Sequence, residues 1–165
     1  MALFRRRRFV RTSSGDFTVR MRPEERALLA SLPEQLAALV ADGPSPATTR
    51  LFPPAYAEAP ELEEEYQRLM SDELVRRRQE TLTVVRDSIG REQLTEAELH
   101  AWVGVFNDVR LVLGTLLDVS ENREILDVDP ESADMAQRVA YLVLSEIVEE
   151  GVLALSTALP PPVRE

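Results

Sequence analysis

Leucine and valine at helical spacing govern most of this chain, and strand-like runs occur only near its start. Phe9-Val10-Arg11 and Phe17-Thr18-Val19 are β-prone and flank Thr12-Ser13-Ser14-Gly15-Asp16, so Phe4 to Met21 predicts a β-hairpin. A lone hairpin is marginal in water and must rest on the helical body or on a partner. Arg22-Pro23-Glu24-Glu25 opens a first helix over 23–41, with leucines at 28, 29, 32, 36 and 39 followed by Val40. Pro33 predicts a kink or split near Ser31, and Gly43 a stop. Residues 42–60, with five prolines, read as a linker and as the best candidate for disorder, in which Leu51, Phe52 and Tyr56 would be pinned to the body.

Beyond the linker the pattern predicts a short acidic helix from Glu61 to Met70. A new start follows at Ser71-Asp72-Glu73, for a helix running to about Asp87 with Gly90 as its stop. Thr95 and Glu98 fit a capping box, which opens the densest apolar helix. A last helix should run from about Pro130 to Leu155. It is nearly apolar all round over 139–144, as expected of a helix central to the core or covered by a second subunit, and so of a homodimer. The expected architecture is mainly α: a bundle of about five helices with an N-terminal β-hairpin. It forms one domain over 1–165, divided into the basic hairpin (1–22), helix (23–41), linker (42–60), helical body (61–158) and tail (159–165).

Charge changes this picture at one end. Residues 1–26 carry eight arginines against three acids, whereas the remainder carries eleven against twenty-six, and the whole chain has a net charge of −10. An acidic body repels a phosphate backbone over most of its surface, so nucleic acid could be met only by Arg5, Arg6, Arg7, Arg8, Arg11, Arg20 and Arg22. Three readings of the Arg5–Arg8 run stay open: a charged edge that prevents strand aggregation, contact with acidic helices of this chain or a partner, and contact with DNA. Arg76-Arg77-Arg78 has acids nearby and reads as an internally paired, solvated face.

Candidate chemistry is sparse. The chain has no Cys and a single His, His100, without a nucleophile at a telling spacing or a Gly-rich phosphate loop. No catalytic residue, metal centre or cofactor is expected, and the absence of a secretory pattern or a membrane-length apolar run points to the cytoplasm. On the helical wheel Trp102, Val103, Phe106, Val109, Leu113, Leu116 and Leu117 form a wide buried face in which Arg110 is embedded. A guanidinium there needs a carboxylate, several carbonyls, or a ligand or partner. Gly114, one turn on, fits close approach of another helix or of the arginine's partner. Asn107 and Asp108, with His100 and Gly104, could form a solvated stripe.

The run Trp102-Val-Gly-Val-Phe-Asn107-Asp108-Val-Arg110-Leu-Val-Leu-Gly114-Thr115 resembles the W-x-x-x-(L/F)-N-D-V-R-L-x-L-G-T signature of an actinobacterial family long described as of unknown function. The basic hairpin, the Pro-Glu-Glu helix start and Asp72-Glu73-Leu74-x-x-Arg77 fit it as well, so the resemblance covers nearly the whole chain. Members are similar to the actinomycete oxidative-stress regulator. The resemblance implies a non-enzymatic cytosolic transcriptional regulator acting through a stress sigma factor or RNA polymerase, with promoter DNA as a further contact. The alternative is a homodimeric adaptor without DNA binding. Trp102, Asn107, Asp108, Arg110 and Gly114 would organise the core or a dimer seam. Redox sensing in that group is attributed to a cysteine pair, and a chain without Cys has no disulfide switch.

Overall fold

The computed structural model describes residues 7–119 and 131–157. Within them, four helices support a small antiparallel sheet of order β1-β2-β3. The elements are β1 (Phe9–Arg11), β2 (Phe17–Val19), α1 (Pro23–Ala41), α2 (Pro60–Ser88), β3 (Gln93–Leu94), α3 (Glu96–Leu116) and α4 (Met135–Ser156). The hairpin forms as its pattern predicts, with Phe9 opposite Val19 and Arg11 opposite Phe17. Its support is partly a third strand that two residues were too few to announce: Phe17 pairs with Leu94 and Thr18 with Gln93.

Four helices stand where about five were expected, because the stretches 61–70 and 71–87 form one continuous α2. Ser71 and Asp72 favour a cap, but no Gly or Pro breaks the chain there, so cap preference alone does not stop the helix. Glu63–Gln67 and Glu65–Arg68 pairs before the expected break, and Glu73–Arg77 and Arg76–Glu80 pairs after it, support the helix on either side. The helix α1 likewise continues through Pro33, which is buried beside Leu32 and Leu36. The opening of α4 is Met135, later than the expected Pro130, which lies outside the described residues along with the 159–165 tail.

Residues 42–60 are folded onto the body, contrary to the expected disorder. Thr48, Leu51 and Phe52 are buried. The Thr48 hydroxyl donates to the Gly43 carbonyl and accepts from the Ser45 N–H, which closes a tight turn. Tyr56 is exposed but packs edge-on against Tyr66. The core centres on Trp102, whose ring meets Phe9 and Phe106 edge to face. Its indole N–H donates to the Ser88 hydroxyl at 2.8 Å, which joins α3 to the end of α2.

Thr95 caps α3 as its sequence predicts, accepting from the Glu98 N–H while the Glu98 carboxylate accepts from the Thr95 N–H. The far end closes in a Schellman turn: the Val119 N–H reaches the Gly114 carbonyl and Asp118 takes φ +50°. Aspartate is among the few residues other than glycine that visit this left-handed region routinely.

Candidate functional site

Arg8 is not a free surface charge. It is buried at the point where β1 meets α1 and α4, and its guanidinium donates to Glu150 at 2.5 Å and Glu25 at 2.8 Å, with Glu146 at 3.5 Å. Its backbone N–H also donates to Glu150. Burial opposes the charge on Arg8, but its hydrogen bond to Glu25 and the charges of Glu150 and Glu25 outweigh it and raise its pKa. Burial would likewise raise Glu25; the hydrogen bond from Arg8 and one from the Arg22 N–H instead hold it below the usual carboxylate value. Of the three readings of the arginine run, contact with acidic helices of the same chain therefore describes Arg8. Arg22 sits at the α1 start, exposed, with its side chain 3.5 Å from Glu25. Arg7, Arg11 and Arg20 are exposed and make no ion pair with a described residue. Arg5 and Arg6 lie outside the described residues.

The α3 signature residues divide into separate tasks. Trp102 is fully buried in the core. Asp108 pairs with Arg78 of α2, which also donates to the Leu51 carbonyl at 2.6 Å and stands 5.4 Å from the Phe52 ring centre. One guanidinium thus fastens α2, α3 and the 42–60 segment together, and the solvated-stripe reading of Asp108 does not hold. Burial raises the Asp108 carboxyl above its ordinary value against the pull of Arg78. Arg76 and Arg77 pair with Glu73 and Glu80, as expected of an internally paired face.

Arg110 holds neither a carboxylate nor a backbone carbonyl among the described residues. It is half-buried, and its one hydrogen bond goes to the Asn107 amide oxygen at 2.7 Å. No described carboxylate pairs with it. The wheel placed Arg110 inside the core stripe; in the structure it is only half-buried, at the edge of that stripe. Antiparallel α3 and α4 form the largest helix contact, and a glycine sits at each end of the seam. A Cβ on Gly151 of α4 would lie 2.5 Å from Val103 Cγ2, and one on Gly114 of α3 would lie 3.3 Å from both the Tyr141 ring and Arg50 Nη1. At Gly114 both a helix, through Tyr141 of α4, and an arginine, Arg50, come close. The parts played by Arg50, Tyr141, Glu146 and Glu150 carry no local sequence signal, because each meets its neighbours only across the fold.

An apolar groove of about 340 Å³ runs between α1, α3 and α4, lined by residues such as Leu28, Leu32, Leu39, Val112, Leu116 and Ala140 and, among the described residues, by no charged side chain. Leu28, Leu39 and Leu116 are exposed along it, so Leu116, expected on the buried face of its helix, instead lies at the last turn of α3 on the groove. Among the described residues no cluster of three or more His, Asp or Glu is placed to hold a metal, and no helix is long and apolar enough to cross a membrane.

These features define a small, mainly helical domain with an N-terminal sheet, an acidic body and an ion-paired interior. Residues 6–155 match the family described as a domain of unknown function, DUF2017, and the chain belongs to that family. Over 41 residues it is 44% identical to the oxidative stress regulator AosR of Mycobacterium tuberculosis and of Mycobacterium bovis, and to the putative oxidative stress regulator AosR of Mycobacterium leprae. The match covers 25% of this chain and only 19% of each of those proteins. No solved structure matches the chain.

Proposed function

We propose that this protein is a non-enzymatic regulator of stress gene expression that acts by protein contact, with a sigma factor or RNA polymerase as the partner. The observation that carries the reading is the 44% identity over 41 residues to proteins named as oxidative stress regulators. Two physical features support protein contact over DNA contact. Arg8 is consumed inside the fold, which leaves Arg7, Arg11 and Arg20 as the described unpaired charges of the hairpin, too few to offset an acidic body. The groove beside Leu28, Leu39 and Leu116 supplies the uncharged, apolar centre that protein interfaces use. Promoter DNA is then a secondary contact through the hairpin. A homodimeric adaptor is the second reading, favoured by the half-exposed Val139, Val152 and Leu153 of α4.

The test is a pull-down of tagged protein from its own cells, with nuclease present, followed by mass spectrometry and by reconstitution from purified components. Co-migration with a purified sigma factor or polymerase supports the reading. Recovery of the bait alone, together with a DNA mobility shift abolished by neutralising Arg7, Arg11 and Arg20, would overturn it.

A further inference from the structure

The sheet ends at β1, and no described strand lies beside that edge. The Arg20 N–H donates to the Arg8 carbonyl at 2.7 Å, and the Val19 N–H donates to the Glu92 carbonyl at 2.8 Å. Peptide groups alternate in direction along a strand, so Phe9 and Arg11 turn their N–H and C=O away from β2, towards the outer edge. Strand backbone left unpaired in this way is a template for a further strand.

A cavity of about 250 Å³ lies along this edge, between β1 and the last turns of α4. Arg7, Phe9 and Arg11 line it from the hairpin, and Leu153 and Ala154 line it from the helix. Leu153 is 51% exposed, so the helix side offers an apolar surface to water. Glu150 also lines the cavity, but its carboxylate is taken up by the backbone and guanidinium of Arg8. Arg7 and Arg11 are exposed and pair with no described carboxylate. They bracket the edge: Arg7 precedes β1, and Arg11 ends it and extends to the hairpin turn, its Nη2 3.9 Å from the Cβ position of Gly15.

The charges decide what kind of strand fits. A second copy pairing antiparallel here would bring the arginines of two edges together, and like charges on paired strands repel. A nucleic acid would match the arginines but not the strand backbone, and its phosphates would also face an acidic body. An acidic polypeptide satisfies both demands.

We infer that the β1 edge and the end of α4 form a docking groove for an extended acidic segment of a partner protein, which adds to the sheet as a further strand. Its backbone pairs with Phe9 and Arg11, an apolar side chain rests on Leu153, and its carboxylates meet Arg7 and Arg11. The inference rests on the protein-contact reading above and gives that contact a second surface and a partner chemistry.

The probe is a library of short random peptides panned on the purified full chain, followed by fluorescence anisotropy of the labelled consensus peptide. Selected peptides should be rich in Asp and Glu, with apolar residues at alternate positions. Methylating every second backbone nitrogen of the peptide leaves its charge unchanged. It should weaken binding about tenfold or more when the methyl groups fall on the amides that face β1, and little in the other phase. R7E combined with R11E should weaken the acidic peptide about tenfold or more and bind the same peptide with lysine in place of its acids. L153S should weaken binding a few-fold, and a single-stranded oligonucleotide of matched charge should not displace the peptide. All three substitutions alter exposed side chains, and circular dichroism verifies the fold. No enrichment of acidic peptides, indifference to methylation in both phases, equal binding by the arginine variant, or displacement by the oligonucleotide would overturn the groove. Peptide binding as described, with no sigma factor or polymerase recovered in the pull-down, would support the groove and overturn only that choice of partner.

Discussion

The two ends of the α3–α4 seam hold the same kinds of residue, a glycine and an arginine, and finish them differently. At one end Gly151 lies against Val103 and Phe9, and Arg8 reaches Glu25, Glu146 and Glu150. At the other, Gly114 lies beneath Tyr141 and Arg50, and Arg110 meets only the Asn107 amide. The first end is closed around its charge: the Arg8 guanidinium meets three carboxylates, and only its Nε is left without a partner. The second is open, with cationic donors outnumbering acceptors. Burial alone does not say which arginine is structural; the completeness of its partners does.

The largest effect should come from R8L. It strands the carboxylates of Glu25 and Glu150 in a mostly buried setting, and breaking such a network costs about 3–5 kcal/mol, read by urea unfolding. G151A should follow at about 1–3 kcal/mol. Its added methyl meets Val103 Cγ2 at 2.5 Å, and a β-branched side chain in a helix has little rotamer freedom to yield. G114A, the same change at the open end, should stay within about 1 kcal/mol of wild type, because gained helix propensity offsets two contacts at 3.3 Å, one with the flexible tip of Arg50 and one with the edge of the Tyr141 ring. Equal costs at the two glycines would break the comparison.

Acid titration of stability sharpens it with smaller effects. Glu25 is held below its ordinary 4.5, so its contribution is present above that value and lost as pH falls through the lowered one. Asp108 is raised above its ordinary 3.8, so its contribution is present below that value and lost as pH rises through the raised one. The decline in unfolding free energy between neutral pH and pH 2 should therefore be smaller in E25Q and larger in D108N than in wild type. A decline of the same size in all three would refute these assignments.

Local chemistry made much of the fold legible in the sequence. The hairpin strands, the Pro-Glu-Glu start of α1 and the Thr95 capping box all follow from residues within a few positions of one another. The continuity of α2 was not legible, because Ser71 and Asp72 advertise a cap whether or not the chain turns there. β3 was too short to show a period, and it exists because β2 presents an edge beside it. For the site, Arg110 could be seen as a charge that needed explanation. What surrounds it could not be read, since Arg50 is 60 positions before it and Tyr141 thirty-one after. The acids that hold Arg8 are similarly remote: Glu150 is 142 residues away in the chain.

Equilibrium urea unfolding of R110Q beside R8L tests most directly the claim that the completeness of an arginine's partners marks the structural one. The account predicts that R110Q lies within about 1 kcal/mol of wild type, the worth of one ordinary hydrogen bond, while R8L loses several times as much. A loss for R110Q as large as that for R8L would make Arg110 an integral part of the core and contradict the account.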